Sequence, residues 1–178
     1  MKLKIFPFKK VKSTNSTAIR LINQNIKFGV VTSERQYKGR GQGTNRWISN
    51  YGNIFLSIFF PIKRNLSIKN ITKINLNVVK KVIKKHINEK INIKLPNDIL
   101  INQSKICGIL QEIIFKNNIK YIIIGIGINL NNSPIIPNYC TSYLNKYSKK
   151  NIKKLELIKE LKRNFAVSYT HLRAHETN

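Results

Sequence analysis

The sequence predicts an α+β fold: a mixed, mainly antiparallel β-sheet covered by helices. Three observations predict it. Strand-like apolar runs crowd residues 91–130 with only short polar turns between them, amphipathic patterns of helical period recur along the chain, and strands and helices do not alternate strictly as a doubly wound parallel sheet would require.

Taken in order, Ser13, Thr14, Asn15 and Ser16 form a polar capping cluster ahead of Thr17 to Ile22, where Ile19 and Ile22 stand at helical spacing, so a short helix opens here. Residues 28–32 read as a short apolar strand. Residues 39–47 are glycine-rich and basic, too polar for a core element, and are a functional loop candidate. Residues 53–60 (NIFLSIFF) are strand-like, and Pro61 is expected to stop them. From Leu66 to His86, apolar Ile68, Ile71, Ile74, Val78 and Val82 recur in steps of three and four, predicting an amphipathic helix with a lysine-rich outer face. Strands follow at 91–95, 99–101 and 106–115, the last two joined by the polar turn Asn102-Gln103-Ser104, and a fourth runs over 120–130 and contains Gly125 and Gly127. The helices are expected on one face of this sheet, the last over 156–165. Residues 167–178 change composition, holding His171 and His175 but no lysine or isoleucine; they read as an atypical, non-native tail outside the domain, and the two histidines are not taken as metal ligands.

The chain has 178 residues, enough for one main domain and too few for a second of similar size. Its formal charge of +26 raises a basic nucleic-acid-binding protein as one reading. Against it, the lysines are spread over the whole chain, the aromatics are not interleaved with them as a stacking platform needs, and lysine, isoleucine and asparagine share AT-rich codons, so base composition accounts for the charge. No run approaches the ~18 apolar residues of a membrane span, and MKLKIFPFKK lacks the apolar core of a signal peptide, so a cytoplasmic protein without membrane contact is expected. Cys107 and Cys140 have no metal-type spacing and are expected to be free thiols.

Two segments carry chemistry. In GRGQGTNRW, Gly39, Gly41 and Gly43 allow backbone N–H groups close to a phosphate, while Arg40 and Arg46 add charge. The loop fits neither the dinucleotide fingerprint nor the P-loop, and on its own it is as readily a surface turn as a ligand clamp. In KLPND, Pro96 favours an extended Leu95, presenting Lys94, Asn97 and Asp98 at the mouth of a strand pair, with Lys105 eleven residues beyond Lys94 in KICGILQE. Ordinary turn chemistry accounts for Asn97-Asp98 equally well when they are taken alone.

Together, the STN of Ser13 to Asn15, Gln36, the GRG loop with Trp47, KLPND, KICGIL and GIGINL (Gly125 to Leu130) resemble the biotin protein ligase family in order and separation, over about residues 10–132. The resemblance implies the biotin ligase catalytic domain, a fold similar to that of class II aminoacyl-tRNA synthetases, over residues 1–166. It also implies ATP-dependent activation of biotin to biotinyl-5'-AMP and transfer to a lysine of a biotin carboxyl carrier protein. It places Ser13, Thr14, Asn15, Gln36, Gly39, Arg40, Gly41, Gln42, Lys105 and Gly108 on biotin, Trp47, Lys94, Asn97, Asp98 and Asn129 on the nucleotide, and Arg40 and Lys105 at the reacting groups. No protein-only metal cage is implied; magnesium is expected to come with ATP, near Asp98. A homodimer is a further expectation of the family, with no residue of this chain behind it.

The chain departs from the pattern at Gln42, Gly43 and Thr44, where the family carries further arginines and a glycine, and at Leu95, where tryptophan is common. With about twelve residues ahead of Ser13 there is no room for a DNA-binding helix-turn-helix, so specific DNA binding is not expected. The family's small C-terminal β-barrel is not expected within these 178 residues. A lipoate or octanoate ligase of the same fold and a truncated, non-catalytic biotin-binding core therefore stay open beside the leading reading.

Overall fold

The computed structural model of the chain describes residues 2–63 and 67–174; Leu66, the expected start of the long helix, and His175 lie outside them. The elements are β1 (Ile5–Val11), α1 (Thr14–Asn23), β2 (Gly29–Gln36), β3 (Ile54–Ile62), α2 (Ile68–Lys84), β4 (Ile91–Lys94), β5 (Asp98–Ile101), β6 (Ser104–Lys116), β7 (Ile119–Ile128) and α3 (Lys154–Ala174). The strands form one sheet in the order β1-β2-β3-β7-β6-β5-β4. β1 pairs with β2 in parallel and every other pairing is antiparallel, the expected mixed sheet.

Alternation along the central strands divides the core. Ile54, Leu56, Ile58 and Phe60 of β3, with Ile122, Ile124, Ile126 and Ile128 of β7, point to the face covered by α2 and α3, against Leu76, Val79, Val82, Leu157, Leu161 and Phe165. Phe59 and Ile123 point to the other face, where Ala18, Leu21 and Ile22 of α1 cover them. Helices thus lie on both faces, and the expectation of one covered face is corrected. α1 is too short to shield all of its side. The uncovered part of that face, over β6 and β7, is where the polar and glycine positions collect.

α1 is held at both ends. The Ser13 side chain accepts from the Ser16 N–H as N-cap, and at the far end the Lys116 ammonium of β6 donates to the Ile22 and Asn23 carbonyls, each at 2.7 Å. The tight turn between β5 and β6 has Asn102 and Gln103 at φ of 46° and 64°, the left-handed pair that a two-residue hairpin requires.

Three further expectations are corrected. β1 was not anticipated, because Pro7 and the flanking lysines obscure its alternation; those residues suit a sheet edge, which this strand is. Pro61 does not stop β3, which continues to Ile62; β2 has already ended opposite Phe59, so the proline sits where its missing N–H breaks no ladder to β2. The last helix runs on to Ala174 rather than ending at residue 165, and Tyr169 is buried against Phe60 with its hydroxyl donating to Asn75 Oδ1. The change of composition at residue 167 is not a break in structure. Among the described residues, no helix is long and apolar enough to cross a membrane.

Candidate active site

A cleft of two adjoining lobes opens on the α1 face. The first, with a cavity volume of about 140 Å³, lies between the start of α1, the 39–47 loop and the β6–β7 floor. The second, about 310 Å³, lies between the same loop and the segment after β7. Lys105, Asp98, Trp47, Asn45 and Arg46 line both. Ser13, Thr14, Asn15, Gln36, Arg40, Gly41, Gln42, Asn97 and Gly108 line the first lobe, and Asn129 the second. Gly39 and Lys94 line neither. Gly39 is packed beneath the loop, where a Cβ would come within 2.5 Å of the Trp47 carbonyl oxygen, and Lys94 stands outside with its Nζ 4.9 Å from the centre of the Tyr139 ring.

The inner end of the first lobe is a largely buried network of neutral polar groups that rests on one carboxylate, Glu112. Gln36 Oε1 accepts from the Thr14 N–H (2.8 Å) and hydroxyl (3.3 Å). Ser57 Oγ lies 2.7 Å from Thr14 Oγ1 and donates to Asn15 Oδ1 at 2.5 Å. Asn15 Nδ2 donates to the Leu110 carbonyl and to Glu112. Gly125 lies directly below: a Cβ there would collide with the Asn15 amide, so only glycine lets α1 approach β7 this closely.

The floor between the lobes is also glycine. Gly108 and Gly127 face each other across β6 and β7, and the Trp47 indole lies on both. A Cβ on Gly108 would stand 2.7 Å from Trp47 Cζ3. The 39–47 loop that delivers this ring is a small hairpin rather than a loose segment: Gly41 N–H donates to the Asn45 carbonyl, Trp47 N–H donates to the Gly39 carbonyl, and Gly43 takes φ +62° at the tip. Arg40 projects sideways and binds the Glu112 carboxylate through both guanidinium nitrogens, at 2.9 and 2.6 Å.

At the junction of the lobes, Lys105 Nζ is 2.8 Å from Asp98 Oδ1, and the Tyr139 hydroxyl donates to Asp98 Oδ2, also at 2.8 Å. The register of β5 against β6 shifts here, so Ile99 faces Cys107 while Leu100 faces Lys105; such a bulge re-aims a side chain at a sheet rim. The segment after β7 is tied to the same rim, Lys105 N–H donating to the Cys140 carbonyl and Ser142 N–H to the Lys105 carbonyl. Burial and the bond to Asp98 push the Tyr139 phenol up to about 12, so it remains a donor. Buried Asn129 donates to the Ser142 carbonyl, and its Oδ1 has no protein partner, as has the indole N–H of Trp47.

Asp98, the carboxylate lining the cleft, is already engaged by Lys105 and Tyr139. Among the described residues no three His, Cys, Asp or Glu side chains converge as a cation site. This donor set does not fit a resident divalent ion.

The profile of the Biotin/lipoate A/B protein ligase family matches residues 7–129. The chain belongs to this family. Among curated relatives, the Bifunctional ligase/repressor BirA of Bacillus subtilis is 34% identical over 131 residues, and that of Escherichia coli K12 is 29% identical over 123. These alignments cover 70% and 67% of this chain but only 39% and 38% of the relatives' lengths. Biotin protein ligase from Leishmania major in complex with biotinyl-5-AMP superposes with a TM-score of 0.81 at 22% identity, covering 96% of this chain and 76% of that one. The Aquifex aeolicus enzyme in complex with biotin and ATP gives 0.79 at 23%, covering 93% and 69%.

Within this member of the biotin/lipoate ligase family, sequence reasoning missed Ser57, Glu112 and Tyr139. Each is a lone polar residue without a local motif. Ser57 carried a weak signal as the only polar residue inside IFLSIFF, and Glu112 as one of just seven acidic side chains.

Proposed function

We propose that this chain is the catalytic core of a biotin protein ligase, making biotinyl-5'-AMP from biotin and ATP and passing the biotinyl group to a lysine of a biotin carboxyl carrier protein in the cytoplasm. The observation that carries the reading is that a lobe ending in neutral donors and acceptors and a second, larger lobe meet at one ammonium group, Lys105. The neutral end, formed by Thr14, Asn15 and Gln36 with Ser57 buried behind them, suits a small polar ring such as a cyclic urea, whose N–H and C=O groups need partners once buried. The second lobe, with Ile136, Pro134, Tyr139 and the unpartnered Asn129 Oδ1, suits a nucleoside. The BirA relatives carry ligase in their names, and the two solved ligases hold biotin with ATP or biotinyl-5-AMP in this fold.

The chemistry explains the charge at the junction. A biotin carboxylate oxygen forms a bond to the α-phosphorus of ATP as the bond to pyrophosphate breaks; the carrier amine then attacks the acyl carbon, AMP leaves with the carboxyl-bound phosphate oxygen, and the nitrogen loses a proton. Both reactants of the first step are anions, so fixed cations and N–H donors aimed between them lower the barrier. Lys105 supplies the cation, Asp98 and Tyr139 hold it in place, and Trp47 covers the junction against water. Magnesium accompanies ATP as part of the substrate.

Biotin-dependent exchange of labelled pyrophosphate into ATP tests the reading. Lys105→Ala is expected to cut exchange about 100-fold, the scale of removing one preorganised charge-stabilising group, and Arg40→Ala less. Exchange that follows lipoate or octanoate instead of biotin would assign the lipoate branch, and no biotin binding at all would overturn the proposal.

A further inference from the structure

We propose that Glu112 is a positioning residue that latches the 39–47 loop to the inner end of the first lobe, so that closure of the cleft and orientation of the ring-binding amide depend on one carboxylate. The inference builds on the ligase reading above, but its geometry stands apart from it. Glu112 sits on β6 opposite Ile123 of β7, on the α1 face and beside the cleft. Its Oε1 accepts from Arg40 Nη1 at 2.9 Å, while Oε2 accepts from Arg40 Nη2 at 2.6 Å and from Asn15 Nδ2 at 2.7 Å.

Both attachments are specific. A guanidinium held through two parallel N–H bonds is fixed in direction as well as distance, which a lysine could not reproduce. The loop has two anchors on the sheet: Trp47 on the glycine floor, and this pair at its opposite side. On the inner side, Glu112 accepts only, so Asn15 must turn Nδ2 toward it and Oδ1 toward Ser57. With 33 Lys and Arg in the chain and only 7 Asp and Glu, placing one of the few carboxylates between a loop arginine and a buried amide has a defined local effect. Swinging the loop out separates Arg40 from Glu112 and leaves a part-buried carboxylate to be resolvated, held only by Asn15; closing it restores the two charge-assisted bonds from the guanidinium.

Trp47 is the only tryptophan, so its fluorescence reports on the loop without any activity. The test is acrylamide quenching in the ligand-free full chain for Glu112→Gln, Arg40→Gln and the double variant, followed by biotin KM and kcat in pyrophosphate exchange. In Glu112→Gln the amide oxygen can still accept from Asn15, but its NH₂ faces a guanidinium N–H. Both single variants are expected to raise the quenching constant about twofold and to speed loss of the bound adenylate about fivefold, the scale of one charge-assisted pair, with no further change in the double. Glu112→Gln lowers kcat with biotin KM nearly unchanged, whereas Glu112→Ala raises KM as well. Unchanged quenching in both single variants, additive effects in the double, or an identical loss of melting temperature and kcat in Glu112→Gln and Glu112→Ala without the KM split would overturn the latch. A wild-type chain with no biotin-dependent exchange would sink the ligase reading alone, and the latch would then stand or fall on quenching.

Discussion

At the scale of single residues, Tyr139 shows how a neighbour sets a side chain's chemistry. Its hydroxyl donates to Asp98 Oδ2, and burial together with that negative charge raises its pKa from 10.0 to about 12. The folded chain therefore holds this proton more tightly than the unfolded chain between those values. The associated stability is complete below pH 10 and is lost as the pH rises through 12. Denaturant unfolding of wild type and Tyr139→Phe from pH 8 to 12 is expected to give a constant difference up to pH 10 that then moves against wild type; a flat difference throughout would mean that the phenol is not coupled to folding. Nothing local marks this tyrosine in PNYCTS, because its partner is 41 residues away. Ser57 and Glu112 were only faintly legible for the same reason, whereas Ser13, Thr14, Asn15, Lys105 and Asp98 lie in short motifs whose spacing survives as geometry. Lys94, drawn from such a motif, reaches only the outer side of Tyr139, because Lys94 and Asp98 face each other across β4 and β5 and only Asp98 is buried.

At the scale of elements, the cleft depends on where β6 and β7 lack side chains. Cross-strand partners Gly108 and Gly127 leave a trough one indole wide, and Trp47 fills it. Gly127→Ala places a methyl inside the volume of the ring, with backbone on one side and the loop on the other, so the indole has to leave. The expected result is a red-shifted, more quenchable Trp47 emission with the sheet intact by circular dichroism and biotin affinity reduced; an unshifted spectrum would show that the ring does not rest on this floor. The sequence made most of these elements legible, since the isoleucine-rich runs and the α2 periodicity are strong signals. It concealed β1 and the outcome at Pro61, because both turn on which strand lies alongside, a property of the sheet rather than of the segment.

For the whole molecule, the charge of +26 is a matter of stability before it is one of function. The ion pairs that involve Arg40, Lys105, Lys85 and Lys153 take up carboxylates that are scarce, so basic side chains far outnumber the acidic ones that could neutralise them. Compacting such a chain brings like charges closer, and at low salt, where the screening length is about 30 Å, that repulsion extends across the domain. Raising sodium chloride from about 0.01 M to about 0.15 M shortens the screening length to about 8 Å, weakening repulsion between distant lysines far more than attraction within part-buried pairs such as Lys105–Asp98. The melting temperature is therefore expected to rise by roughly 3 °C or more over this range, about 1 kcal/mol for a domain of this size. Sodium phosphate at equal ionic strength separates screening from anion binding, because screening gives the same rise and a bound anion gives a larger one. A melting temperature that falls with salt would mean that paired charges outweigh the repulsive ones. The same field attracts any polyanion weakly, so the part of nucleic-acid binding that fades steeply with salt is a property of this composition.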